Sequence, residues 1–403
     1  MIKFDLKFFF DSKNLNLNND DEYKKNLDNA INISSKLKKD YQSDQNEILK
    51  SFSASYQEKI RKLKLDISYT NKKKVVIGLG GSSSGAKAIS HYIGDDIVYF
   101  DNLDYNYLSN FLKKNSIKNY TFFVISKSGD TFETLAILNL LIYYAKQNNF
   151  LDIYKNIVAV TENKSSFLKK FIDQNNIKFI EHNPKIGGRF SILSETGMLP
   201  FLNLGMNVEE YSEKYLDLLD DYENDNSPAK NSAIILTCIK KYKLNLYCNL
   251  LYNYKLKHFS YWLHQLHAES LGKNSTGLTP FTSICPKDHH SMMQLYLDGP
   301  NDKFFNIFSP QDENYFDKFD SLGFENIEKY TPGELLNKQF SSVVDVFHEK
   351  NIPCRVINIF DHTDPTNIIE LFSYFLIETI ILGNLLGLNP YDQPAVQLIK
   401  NKI

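Results

Sequence analysis

From Lys73 onward, short apolar runs alternate with stretches of helical period, and this alternation leaves few architectures open. Lys73–Leu79, Ile97–Phe100, Tyr120–Ile125, Asn156–Val160 and Lys178–Glu181 read as strands. Ala86–Ile93, Tyr105–Lys114 and Phe132–Lys146 read as helices between them. Strands separated by helices predict a parallel, doubly wound sheet. After a loop at Pro184–Pro200 the alternation resumes. Helices are expected at Ala229–Lys241, Leu256–Leu271, Asp288–Leu297, Glu334–Lys350 and Asn367–Leu386, with strands at Leu244–Leu250, Pro280–Ile284, Phe304–Phe308 and Pro353–Phe360. The expected organisation is a helical segment at 1–70, α/β domains at 71–222 and 223–389, and a terminal helix within 390–403. The polar turn Glu223–Pro228 marks the boundary between the two similar halves.

Charge narrows the classes of partner. The 46 basic and 48 acidic side chains leave a net charge of −2, which draws the chain neither to nucleic acid nor to an anionic membrane. An anionic ligand therefore needs a local site. Cys238, Cys248, Cys285 and Cys354 form no CxxC pair and no zinc spacing, and read as reduced thiols in a reducing compartment. Met1–Ser12 carries Lys3, Asp5, Lys7 and Asp11, unlike a signal peptide. The apolar run Leu376–Leu388 is broken by Glu378 and Asn384 and reads as too short for a bilayer. A cytoplasmic location is the expectation.

Two strand-to-helix turns carry the first chemistry: Gly78-Leu79-Gly80-Gly81-Ser82-Ser83-Ser84 and Ser126-Lys127-Ser128-Gly129-Asp130-Thr131. Both place small or hydroxyl residues where a helix begins, and main-chain N–H groups at a helix start favour an anion. Ser and Thr are also ordinary N-caps. Two such turns at strand ends of one sheet favour a phosphate monoester. Ser83 occupies the third glycine position of a dinucleotide fingerprint, and neither turn is a P-loop, so a nucleotide is disfavoured.

Further polar groups stand in helices and loops. Gln265 and Glu269 are four apart in one helix and share a face, with Trp262 and Leu266 on its packed side. Glu269 is a candidate base, although spacing alone favours a solvated glutamate. His264, His267 and Glu269 lack the HExxH spacing of a zinc helix. Arg189 follows Gly187 and Gly188, in a pattern suited to stabilising an oxyanion or to bonding loop carbonyls. His289 and His290 precede Ser291, and their spacing does not say which of them acts. Lys400 lies near the chain end, where lysine is usually solvated.

Six stretches together resemble the glucose-6-phosphate isomerase family: GLGGSSSG (Gly78–Gly85), SKSGDTFET (Ser126–Thr134), GGRFS (Gly187–Ser191), QLHAESLGK (Gln265–Lys273), HSMMQ (His290–Gln294) and YDQPAVQLIK (Tyr391–Lys400). The resemblance implies two sugar-isomerase (SIS) α/β/α sandwich domains with parallel sheets and peripheral N- and C-terminal helices. It implies reversible isomerisation of glucose 6-phosphate and fructose 6-phosphate through ring opening and an enediol(ate). Gly81 and Ser82 would lie beside substrate. Ser126, Lys127, Ser128 and Thr131 would hold the phosphate, and Gln265 would contact substrate. Glu269 would move the proton, Arg189 would stabilise the intermediate, and His290 and Lys400 would assist ring opening. No cofactor or metal is implied. A homodimer is implied, with His290 donated across its interface. Acceptance of mannose 6-phosphate, or a sensor that binds sugar phosphate without turnover, are the alternatives. The chain is short for the family, and it departs from the pattern at Gln397, where many members carry an acid, and at Glu195.

Overall fold

The computed structural model describes residues 2–11, 15–63, 69, 72–202, 217–220, 222–310, 330–360, 364, 366–400 and 402. The chain forms two compact units, a continuous one at Asp44–Glu213 and a split one combining Met1–Ser43 with Lys214–Ile403. The described strands, in chain order, are β1 (Ile2–Asp5), β2 (Lys73–Ile77), β3 (Val98–Phe100), β4 (Tyr120–Ile125), β5 (Ile157–Thr161), β6 (Lys178–Glu181), β7 (Leu246–Leu251), β8 (Thr279–Ile284), β9 (Lys303–Phe308) and β10 (Cys354–Ile359).

The continuous unit has the sheet order β3-β2-β4-β5-β6, with every neighbouring pair parallel. Every residue of β4 and β5 is buried, as expected of central strands covered on both faces. The helix Phe132–Gln147 contributes Ile137, Leu138, Leu141 and Ile142 to a core that also holds Val75, Phe122 and Ala159. Because β2 leads to β3 on one side and β4 leads to β5 on the other, the strand order reverses between β2 and β4. In open α/β sheets the crevice beyond such a reversal, at the carboxyl ends of the strands, is where ligands bind. Both hydroxyl-rich turns leave the sheet there. The helix Phe167–Asn175, absent from the sequence reading, buries only Leu168 and Ile172, too weak a period over nine residues to stand out.

The split unit follows the same path, β8-β7-β9-β10-β1, but its fifth place is filled differently. Where the continuous unit adds the parallel β6, the split unit adds β1, antiparallel to β10. This N-terminal strand was not expected from the sequence. Its signal is four residues in which Ile2 and Phe4 are buried, and its partner lies more than 350 residues away. Asn226 closes its outer edge, accepting the Phe4 N–H at 2.8 Å and donating to the Ile2 carbonyl at 3.0 Å. The helix Asp21–Gln42 buries Tyr23, Ala30 and Leu37, at seven-residue spacing, and packs on the helix Pro228–Tyr242.

One helix corrects the reading of the apolar C-terminal region. Thr366–Leu385 is 20 residues whose most apolar 18-residue stretch has mean hydropathy 1.6, long and apolar enough to cross a bilayer by length and composition, but 83% of that stretch is buried in the fold. It also carries Glu378, fully buried and paired with Arg355, whose Nη2 donates to Oε1 at 2.9 Å. The single helix expected at Asp288–Leu297 is instead a 3-10 turn, Lys287–His290, followed by the helix Met293–Asp298. The run breaks at Ser291, whose φ of −131° is not helical, while Asp288 turns back to accept the Ile284 N–H at 2.8 Å.

Candidate active site

In the continuous unit the two hydroxyl-rich turns are brought side by side. A side chain on Gly78, at the end of β2, would lie 2.9 Å from the carbonyl oxygen of Ile125, at the end of β4. The turn after β4 is closed by its own polar atoms. Ser126 Oγ and Thr131 Oγ1 are 2.8 Å apart, and the Gly129 N–H donates to Ser126 Oγ at 3.2 Å. Gly129 takes φ +75°, and a Cβ there would lie 2.1 Å from Ser166 Oγ. Only glycine meets both conditions, so the turn sits tightly on the start of the helix Phe167–Asn175. Asp130 adds to this by accepting the Phe167 N–H at 2.8 Å.

These hydroxyls are not ordinary caps. Thr131 is the N-cap of Phe132–Gln147 and Ser83 that of Ser84–Ile93, yet neither side chain makes a capping hydrogen bond. Where a serine does cap a helix in this unit, as Ser166 does, its oxygen accepts the Lys169 N–H at 3.2 Å. The turns instead hold these hydroxyls in bonds of their own, Ser83 Oγ to the Gly80 carbonyl at 3.4 Å and Thr131 Oγ1 to Ser126, and leave the helix starts without side-chain caps.

The arginine loop packs against the first turn. A Cβ on Gly81 would fall 2.1 Å from the Gly188 carbonyl carbon, so the two backbones touch. Ser191 Oγ bridges them, donating to the carbonyls of Gly188 at 2.7 Å and Gly81 at 3.3 Å. Arg189 is thereby seated beside Gly81 and Ser82. It is 2% exposed, and its guanidinium lies 4.8 Å from the Phe190 ring centre. The Lys127 ammonium reaches the same loop, donating to the carbonyls of Pro184 at 2.8 Å and Ile186 at 3.0 Å. Burial lowers its pKa, the Glu162 carboxylate 3.9 Å away partly offsets this, and Lys164 adds to the lowering. Gly81, Ser82, Ser126, Lys127, Ser128, Thr131 and Arg189 thus gather within one unit.

In the split unit, Gln265 and Glu269 share a face of the helix Lys257–Leu271, and Gln265 Nε2 donates to Glu269 Oε1 at 2.9 Å. Both are half-buried, while Trp262 and Leu266 are fully buried behind them. Just past this helix, Lys273 donates to Asp392 at 2.7 Å and to the Asn389 carbonyl. That contact ties residues 389–392, which lead into the helix Val396–Lys400, to the helix end that carries Glu269. Lys400 is the last residue of that terminal helix. His289 Nε2 and the Tyr252 hydroxyl are 2.7 Å apart, whereas His290 is exposed on the same turn. Burial, followed by the neighbouring His290, lowers the His289 pKa. The histidine pair thus divides into a packed residue and a presented one. His264 is spent on Thr282, with 2.7 Å between Nε2 and Oγ1. His267 stacks on Tyr247 at 4.1 Å between ring centres, and burial, with Arg355 and His264, depresses its pKa to about 3. Among the described residues, no group of three or more His, Cys, Asp or Glu is placed to hold a metal.

Sequence reasoning found no role for Glu195 and passed over His182. Both are buried, and Glu195 Oε1 lies 3.2 Å from His182 Nδ1. Glu195 also accepts the Tyr56 hydroxyl at 2.9 Å and the Asn183 N–H at 2.7 Å. Burial raises the Glu195 pKa, but His182 foremost, then the N–H groups of Asn183 and Glu195 itself, outweigh it and hold the carboxyl below its usual range. The only signal in the sequence was an acid just past GGRFS.

Two doubly wound units with one strand path, one of them carrying two hydroxyl-rich turns at its strand-order reversal, fit the sugar-isomerase class of α/β proteins. Solved structures agree on the fold. A hypothetical protein of Thermus thermophilus superposes with a TM-score of 0.82 at 23% identity, covering 99% of this chain and 98% of its own. A glucose-6-phosphate isomerase of Chlamydia trachomatis gives 0.69 at 21% identity, over 86% of this chain and 72% of its own. The family model for phosphoglucose isomerase matches residues 38–284. A glucose-6-phosphate isomerase of Campylobacter jejuni is 30% identical over 346 residues, 81% of this chain and 83% of its own length. The chain belongs to the phosphoglucose isomerase family.

Proposed function

We propose that this chain is an aldose–ketose isomerase that interconverts glucose 6-phosphate and fructose 6-phosphate. The observation that carries the reading is the Ser126–Thr131 turn, whose hydroxyls are paired with each other rather than used as a cap, in the same unit as an arginine seated by a glycine-to-glycine contact. Serine and threonine hydroxyls at a helix start suit a phosphate monoester. A buried, permanently charged arginine suits an enediolate, because it stabilises the anion without giving up a proton.

In this reading Ser126, Ser128 and Thr131 hold the phosphate, with Gly81 and Ser82 beside the substrate. Lys127 contributes through the loop that it braces. His290 and Lys400 supply the acid and base of ring opening. Glu269 then removes the C2 proton of the open aldose and returns it at C1, with Gln265 fixing the carboxylate and contacting substrate. Arg189 carries the charge that accumulates on the enediolate oxygens. Ring opening breaks the C1–O5 bond as O5 gains a proton and the anomeric hydroxyl loses one. The isomerisation then moves the C2 hydrogen to C1 through Glu269 and the O2 hydroxyl proton to O1, with no net change of oxidation state. The exposed His290, offered by a turn that His289 anchors, supports a homodimer in which it completes the partner's site. A cytoplasmic location follows the same reading, from the four buried thiols.

The test is a coupled assay of the purified chain with fructose 6-phosphate, glucose 6-phosphate and mannose 6-phosphate. Turnover of the first two supports the reading, turnover of all three extends it to a broader isomerase, and turnover of none points to a sensor and overturns it.

A further inference from the structure

We infer that His182 and Glu195 form a buried positioning pair, which fixes the Arg189 loop against the phosphate turn through the carbonyl of Ile186. The inference rests on the isomerase reading above and assigns two residues to it that the family's motifs do not name.

The geometry converges on one atom. The Ile186 oxygen receives Lys127 Nζ at 3.0 Å and lies 3.1 Å from His182 Nε2. A carbonyl only accepts, so Nε2 must carry the hydrogen. The other ring nitrogen, Nδ1, lies 2.9 Å from Thr196 Oγ1 and 3.2 Å from Glu195 Oε1. A bare nitrogen facing a carboxylate would be repelled, so this contact is attractive as an ion pair with the proton on the imidazole. Glu195 is in turn held from two further sides, by the Tyr56 hydroxyl and the Asn183 N–H. The imidazole is therefore fixed at both nitrogens, and its aim at Ile186 is set by Glu195 together with Thr196.

The Ile186 carbonyl stands directly before Gly187-Gly188-Arg189. Its second donor, Lys127, belongs to the phosphate turn. One oxygen thus joins the element that would grip the phosphate to the loop that would stabilise the reacting end. A buried ion pair adds little stability over apolar residues of equal volume. What it supplies here is direction, because it holds the carbonyl at the entry to the 3-10 turn Gly188–Leu193 that carries Arg189.

The experiment compares Glu195→Gln with the wild type in steady-state kinetics. It also measures the binding of two probes: inorganic phosphate, and a six-carbon aldonic acid phosphate whose carboxylate stands in for the enediolate. Loss of aim should lower kcat about 10²-fold with KM close to wild type, since misplacement by 1 Å costs that much. Phosphate should bind as before while the aldonic acid phosphate binds more weakly. The double variant His182→Gln with Glu195→Gln removes the buried charge yet keeps a donor for Ile186, and should recover part of kcat; it carries the comparison should the single variant fail to fold. Wild-type kcat in Glu195→Gln would overturn the inference. So would a proportionate loss of both probes, which would mark a merely structural role. A wild type that turns over neither hexose phosphate would overturn the isomerase reading, and this inference with it.

Discussion

Gly81 and Gly188 meet backbone to backbone: a Cβ on the first would stand 2.1 Å from the carbonyl carbon and 2.3 Å from the carbonyl oxygen of the second. No rotamer change relieves a clash with main chain, so the loops must separate to admit even a methyl group. Gly81→Ala is therefore expected to leave the secondary structure intact, read by far-UV circular dichroism, while kcat/KM falls about 10²-fold as Arg189 moves off its mark.

The hydroxyl of Thr131 pairs with Ser126 and does not cap its own helix. Removing it should cost ligand rather than fold. Thr131→Val keeps the shape and deletes one hydrogen bond to a charged group, a loss of about 1.5–3 kcal/mol. The expected outcome is a rise in KM of about 10- to 100-fold, with a thermal midpoint near that of the wild type. A fall in the midpoint with unchanged KM would return Thr131 to a structural role.

The sequence made some of this legible and hid the rest for physical reasons. The strands β4 and β5 could be read because they are buried along their whole length and so are almost continuously apolar, and β2 because its second half, Val75–Ile77, is a buried β-branched run. The turns that follow β2 and β4 were marked by glycine and serine. The Gly81–Gly188 contact was not readable, because each glycine explains itself locally as a turn residue and only the fold makes them neighbours. His182 and Glu195 stayed hidden for a related reason: a lone histidine after a strand and a lone acid after a motif acquire meaning only as a pair. β1 escaped because four residues make a weak pattern and its register is set by β10. The break at Ser291 escaped because no glycine or proline marks it, and the bond from its hydroxyl back to Asp288 shows only in the fold.

In the split unit, Arg355 is fully buried and spends its guanidinium on Glu378, Asn306, Asn231 and Tyr247. Truncating the acid would strand this charge in the core. Glu378→Ala is expected to destabilise the protein by about 3–5 kcal/mol, read from chemical denaturation. The combined replacement of Arg355 and Glu378 by apolar residues of similar volume should cost much less.

Glu195 gives the protein a dependence on pH with a definite sign. Its folded pKa lies below the ordinary value of 4.5, so the folded state binds its proton less readily than the unfolded chain. The stability it contributes is present above about 4.5 and is lost as pH falls through the lower folded value. The difference in thermal midpoint between wild type and Glu195→Gln should be widest near neutrality and narrow steadily under acid conditions. A difference that stays constant down to strongly acid pH would show that the carboxylate is not held in its charged form.

Glu269 is the residue on which the proposed chemistry turns. Gln265 steadies it from one turn earlier in the helix, and the packed residues Trp262 and Leu266 keep that helix from shifting. Glu269→Gln preserves size and hydrogen bonding but cannot accept a proton, so it separates base chemistry from positioning. Loss of a general base costs about 10²–10⁴-fold. The variant should lose turnover by a factor in this range while binding the six-carbon aldonic acid phosphate with nearly wild-type affinity. Exchange of the C2 hydrogen with solvent, followed by mass spectrometry in heavy water, should fall by the same factor as turnover, because both pass through the same proton abstraction. Exchange that persists while turnover is lost would assign the abstraction to another group and leave Glu269 with ring opening or product release.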